Sequence, residues 1–140
     1  MSEKKRALGY LQDGYTCAVC KEESVLLSKE RGVKPLLGWL EEKADCEKGV
    51  AADKVVGKAA AYLYVLLGVA QVHAIVMSEG AEWVFRRFAV EYTYVEKVPA
   101  VRNRTGDGFC PMEQAVLMID EPEKAYEEIK KTQVRLKEKK

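Results

Sequence analysis

The chain has 140 residues, with 23 Lys and Arg against 22 Asp and Glu for a net charge of +1, and 48% of its residues are hydrophobic. That length supports one domain burying roughly two-thirds of its unfolded surface, so 1–140 reads as a single unit with its core from about 7 to 134 and a frayed, basic tail. The balanced charge excludes a polyelectrolyte surface and argues against nucleic acid or an anionic membrane as partner.

No apolar stretch of signal-peptide type follows the polar N-terminus, and the longest apolar run, 59–67, is too short to cross a bilayer. Four cysteines without such a leader suit reduced thiols in the cytoplasm.

In chain order, 3–12 carries Ala7, Leu8 and Leu11 at helical spacing and stops at Asp13-Gly14. Segments 15–20 and 24–28 are short β-prone runs, and the polar Lys21-Glu22-Glu23 between them predicts a hairpin. Residues 34–42 form a helix with Leu36, Leu37 and Leu40 on one face and Pro35 in its first turn. Residues 51–67 read as one long helix, with Asp53, Lys54 and Lys58 in its first two turns, apolar sides beyond Ala59 and a C-cap at Gly68.

A buried strand follows at 72–77, and Ser78 caps a helix with Ala81, Val84, Phe85 and Phe88 inward. Trp83, Phe85 and Phe88 on that helix offer an apolar patch that leaves a homo-oligomer open. A strand at 90–98, a short helix at 110–118 and an amphipathic helix from 122 to about 136 complete the chain. This alternation is the pattern of an α/β layered domain.

Two stretches put reactive or charged groups at helix starts, where unpaired N–H groups and the helix dipole favour anions and thiolates. In the first, Pro111 makes Cys110 an N-cap and Glu113 the third helical residue, the spacing of a capping box with a thiol in the serine position. An N-cap thiol can ionise early and attack carbonyls or disulfides; Glu113 opposes that ionisation, and a cap that only packs is the plainer expectation. In the second, Lys54 and Lys58 stand four apart on one helical face, which costs ~0.2–0.5 kcal/mol unless an anion lies between them. Gly57 between them leaves room for a close approach. Two solvated lysines explain the pair equally well.

Residues 103–108, Asn103-Arg104-Thr105-Gly106-Asp107-Gly108, can turn several N–H groups toward an anion, and Arg31-Gly32 is a weaker pointer of the same kind. Neither has the spacing of a Walker or dinucleotide motif. No metal site is expected: Cys17 and Cys20 lie three apart in a strand and face opposite ways, and His73, the lone histidine, sits among apolar residues.

The run Glu30-Arg31-Gly32-Val33-Lys34-Pro35-Leu36-Leu37, the segment AADKVVGKAAAYLYVLLGV and the loop NRTGDGFCPMEQAV together resemble an uncharacterised prokaryotic family of unknown function grouped with the cytidine-deaminase-like fold. The resemblance runs from about 7 to 129. It implies a three-layer α/β/α domain whose mixed sheet begins with a β-hairpin. Zinc deaminases of that fold open one helix with His/Cys-Ala-Glu and the next with Pro-Cys-x-x-Cys. This chain has Ala51-Ala52-Asp53 and Ser78-Glu79-Gly80-Ala81-Glu82 there, so neither zinc nor another cofactor is implied.

The resemblance also implies that Arg31, Asp53, Lys54, Asn103, Arg104, Cys110 and Glu113 converge at one sheet edge. The leading expectation is a cytoplasmic, zinc-less domain binding a small anionic, nucleotide-like molecule. Lys54, Lys58, Arg31 and Arg104 supply positive charge, Asn103 orients, and Asp53 or Glu113 serves as acid or base if there is catalysis. A thiol enzyme or redox sensor using Cys110 and a non-catalytic protein-interaction module are the alternatives.

Overall fold

The computed structural model describes residues 2–102, 108 and 110–138. Helix α1 (Glu3–Gln12) starts where Ser2 accepts a hydrogen bond from the Lys5 N–H. Strands β1 (Cys17–Lys21) and β2 (Ser24–Ser28) form the expected hairpin; Lys21 pairs with Ser24 across a turn in which Glu22 takes φ 54. Helix α2 (Lys34–Glu41) has Pro35 in its first turn.

The main correction falls at 51–67, where a strand, β3 (Val50–Val56), precedes a shorter helix, α3 (Lys58–Leu67). Alanine-rich sequence favours a helix locally, yet 50–56 pairs with β1 on one side and β4 on the other, and that pairing overrides propensity. Val55-Val56 suits a strand, and Gly57, extended at φ −96, is where the chain turns from one element to the next. Gly68, at φ 81, closes α3 as expected. Lys54 and Lys58 therefore do not share a helical face.

Strand β4 (Gln71–Ser78), helix α4 (Glu79–Arg87) and strand β5 (Glu91–Val98) follow, then α5 (Pro111–Val116) and α6 (Pro122–Glu138). The five strands lie in the order β2-β1-β3-β4-β5; β1 is antiparallel to both neighbours, while β3, β4 and β5 are parallel. This is an α/β fold, consistent with three α/β/α layers.

On one face α1 lays Ala7 and Leu11 over Ala18, Cys20 and Ala52, small residues that let the helix approach the sheet closely. On the other, α3 is central, with Tyr62, Leu63 and Tyr64 fully buried among Leu36 of α2, Phe85 of α4, Val116 of α5 and Ile129 of α6. The Tyr62 hydroxyl donates to the Ile119 carbonyl at 2.6 Å, fastening the α5–α6 turn to α3. Of the expected patch on α4, Phe85 is buried in the core and Phe88 half-buried, so Trp83 is the one of the three left exposed. No helix among the described residues is long and apolar enough to cross a membrane.

Candidate functional site

The parallel strands β3 and β4 both end where a helix begins, so the first turns of α3 and α4 lie side by side at one edge of the sheet. A Cβ built on Gly80 would come within 3.2 Å of the Lys58 Cβ, which shows how closely the two helix starts abut. Ser78 caps α4 by accepting from the Ala81 N–H at 3.0 Å.

At α3 the cap comes from elsewhere in the chain. Glu113 of α5 sets its carboxylate over the helix start, where Oε1 accepts from the Lys58 N–H at 2.6 Å and Oε2 from the Ala59 N–H at 3.0 Å. Unpaired N–H groups and the positive end of the dipole make this position selective for an anion. Gly57 is required beside it, because a Cβ there would lie within 2.7 Å of both carboxylate oxygens. Burial pushes the Glu113 carboxyl above its ordinary pKa, while the two N–H groups and the Lys58 ammonium pull the other way.

Lys58 extends the same clasp. Its ammonium donates to the Leu117 carbonyl at 2.9 Å and lies 5.3 Å from the centre of the Trp83 ring and 5.8 Å from that of Tyr62. Burial draws its pKa below the ordinary lysine value, opposed by Glu113 and Asp120. Lys58 thus grips the chain just beyond α5 while Glu113 grips α3 in return.

Of the other expected site residues, Asp53 does not join this cap. Asp53 lies on β3 inside the core, directly across from Cys17 of β1. The Tyr64 hydroxyl donates to its Oδ2 at 2.7 Å and the Val55 N–H to its Oδ1 at 3.3 Å. Burial raises its pKa from 3.8 to about 7, the Tyr64 hydroxyl and the Val55 and Lys54 N–H groups only partly offsetting that, and burial together with Asp53 pushes the Cys17 thiol up.

Lys54 is exposed on the same strand and Arg31 is exposed in the loop before α2. Asn103 and Arg104 lie outside the described residues. Cys110, half-buried, precedes α5 but makes no side-chain cap; its N–H donates to the Val101 carbonyl at 3.3 Å. The expected capping box is absent because Glu113 reaches across to α3 and not back to Cys110.

Cys17 and Cys20 pack on opposite faces of the sheet, as their spacing in a strand requires. His73 is buried and held by Thr93 at Nδ1 (2.7 Å) and by Gln71 at Nε2 (2.8 Å). Among the described residues no three His, Cys, Asp or Glu side chains come close enough to hold a metal ion. Sequence reasoning missed the pairing of Tyr64 with Asp53 and the roles of Tyr62 and Leu117. Their only sequence signal is tyrosine at alternate positions of an otherwise apolar helix, where a buried hydroxyl needs a partner.

No curated protein matches the chain. The crystal structure of a DUF1893 family protein (TM1506) from Thermotoga maritima is similar to it, with 27% sequence identity and a TM-score of 0.82 over 91% of this chain and 88% of that one. The family model described as TM1506, a domain of unknown function (DUF1893), matches residues 8–132. Nearly the whole described fold falls within that match, and the chain belongs to the DUF1893 family.

Proposed function

We propose that this domain binds a small anionic, nucleotide-like molecule at the start of α3, on a zinc-less scaffold grouped with the cytidine-deaminase-like fold. One observation carries the reading: the Lys58 and Ala59 N–H groups already hold a carboxylate, that of Glu113. A phosphate or carboxylate of a ligand suits the same N–H pair and the same opening beside Gly57. Binding is then an exchange in which the ligand anion displaces Glu113 and α5 moves with it. Arg104 and Asn103, a few residues before α5 in the sequence, supply further recognition.

The grouping is supported by the strand order and by the abutting starts of α3 and α4. The donors at those two starts do not fit zinc: Gly57, Lys58 and Ala59 meet Ser78, Gly80 and Ala81, which bring an ammonium, a hydroxyl and methyl groups where thiolates or imidazoles are needed. Elemental analysis of purified protein is expected to find far less than one zinc per chain, and a stoichiometric value contradicts this. The reading is of binding, because the contact that carries it is a carboxylate held by two backbone N–H groups, and Asp53 is enclosed in the core.

A thermal-shift screen with nucleotides and phosphorylated metabolites, run on the wild type and on Glu113→Ala, tests the proposal. Vacating the site removes the internal competitor, so Glu113→Ala responds at lower ligand concentration; a ligand at 100 times its Kd stabilises by about 2.7 kcal/mol. Arg104→Ala weakens the response and Lys54→Ala leaves it unchanged. No shift in either protein at millimolar concentrations refutes the proposal.

A further inference from the structure

Trp83 is the aromatic residue of α4 that the core leaves outside, 45% exposed where Phe85 on the same helix is fully buried. Its position follows from the way the two helix starts meet. Gly80 brings α4 against the Lys58 side chain with no Cβ of its own to hold it off, and Trp83 stands one turn further along the same side of α4. The Lys58 side chain leads from the start of α3 to that ring. Its backbone N–H holds the Glu113 carboxylate, and its ammonium lies 5.3 Å from the centre of the indole. Arg87, one turn beyond Trp83, puts its guanidinium 5.4 Å from the same ring and 5.5 Å from that of Phe88.

Neither cation joins a salt bridge among the described residues, although Glu113 and Asp120 act on the Lys58 ammonium through space. An exposed indole with two cations at it therefore lies one lysine side chain away from a pair of N–H groups that takes an anion. The indole offers a flat apolar surface to a planar ring. The Arg87 side chain is exposed and free to swing, so a ring can take its place on the indole and the guanidinium can turn to the ligand's negative charge. A molecule with a planar ring at one end, an anion at the other and a sugar between them spans both features.

We propose that Trp83 is the specificity-determining residue of the α3 site and that the molecule bound there is a nucleoside monophosphate, its phosphate on the Lys58 and Ala59 N–H groups and its base against the indole. This rests on the reading that an anion binds at the start of α3. Stacking is tolerant of base identity, because every base presents a π-face, so adenine and uracil both gain from it.

Calorimetric titration with adenosine monophosphate, uridine monophosphate and ribose phosphate tests the proposal, the last being the same anion without a base. The wild type is expected to bind both nucleotides about tenfold or more tighter than ribose phosphate. Trp83→Ala erases that gap and Trp83→Phe keeps most of it, since a phenyl ring still stacks. Trp39 is buried, so nucleotide quenching of tryptophan fluorescence reports Trp83 and is lost in Trp83→Phe while binding remains. Circular dichroism checks that both variants are folded. Ribose phosphate binding as tightly as the nucleotides, or a gap that survives in Trp83→Ala, overturns the role of Trp83 and leaves the anion site standing. Failure of all three ligands to bind overturns the anion site and this inference with it.

Discussion

Asp53 shows what a single buried carboxyl does to the pH dependence of this protein. Its pKa rises from 3.8 in the unfolded chain to about 7 in the folded one, chiefly through burial. The folded state therefore keeps a proton that the unfolded state releases at lower pH. The stability this gives is fully present below about pH 4 and is lost as pH climbs toward 7, the reverse of an ion-paired aspartate. Asp53→Asn cannot ionise, so it is expected to match the wild type near pH 4 and to exceed it by at least about 1 kcal/mol at pH 8 in denaturant melts. A wild-type advantage at pH 8 contradicts the assignment. The cysteines divide in a comparable way. Cys17 is buried with its thiol pushed up, whereas Cys110 is half-exposed ahead of α5. Mass-resolved alkylation of the native protein at neutral pH is expected to label Cys110 first; equal protection of both removes any thiol chemistry from consideration.

At the scale of elements, the sequence is legible where local signals and tertiary pairing agree. The helix at Glu3–Gln12, the hairpin around Glu22-Glu23, the cap at Ser78 and the left-handed Gly68 all follow from side-chain spacing or backbone requirement. The segment Val50–Val56 is not legible in that way, because Ala51-Ala52 and the alanines at 59–61 favour a helix on both sides of Val55-Val56-Gly57. Only pairing with β1 and β4, contacts distant in sequence, makes it a strand. The helix start expected at Ala51 lies at Lys58, and the group that caps it is the carboxylate of Glu113. That the anion belongs to Glu113, 55 positions away in the chain, is a long-range fact without local signal. Ile129, fully buried where α6 meets the core, is the anchor of the C-terminal helix, and Ile129→Ala is expected to cost ~2–5 kcal/mol in chemical denaturation. A loss below about 1 kcal/mol indicates that α6 is only loosely docked.

For the whole molecule, one edge of the sheet organises the fold. There the starts of α3 and α4 abut, α5 closes over the start of α3 through Glu113, and Lys58 ties the α5–α6 turn back to α3. The domain holds an anion at this edge with its own side chain, so the function proposed for it depends on that contact being real and exchangeable. A double-mutant cycle at Gly57 and Glu113, read by global unfolding, measures it. Glu113→Ala orphans two N–H groups and is expected to cost about 1–2 kcal/mol. Gly57→Ala is compatible with the extended backbone there but drives a methyl into the carboxylate, so it should cost a similar amount alone. In the Glu113→Ala background the same methyl meets no carboxylate, and its cost should fall to within about 0.5 kcal/mol of zero, a coupling energy of at least about 1 kcal/mol. Additive effects, with Gly57→Ala equally damaging whether or not Glu113 is present, would show that Glu113 does not occupy the start of α3.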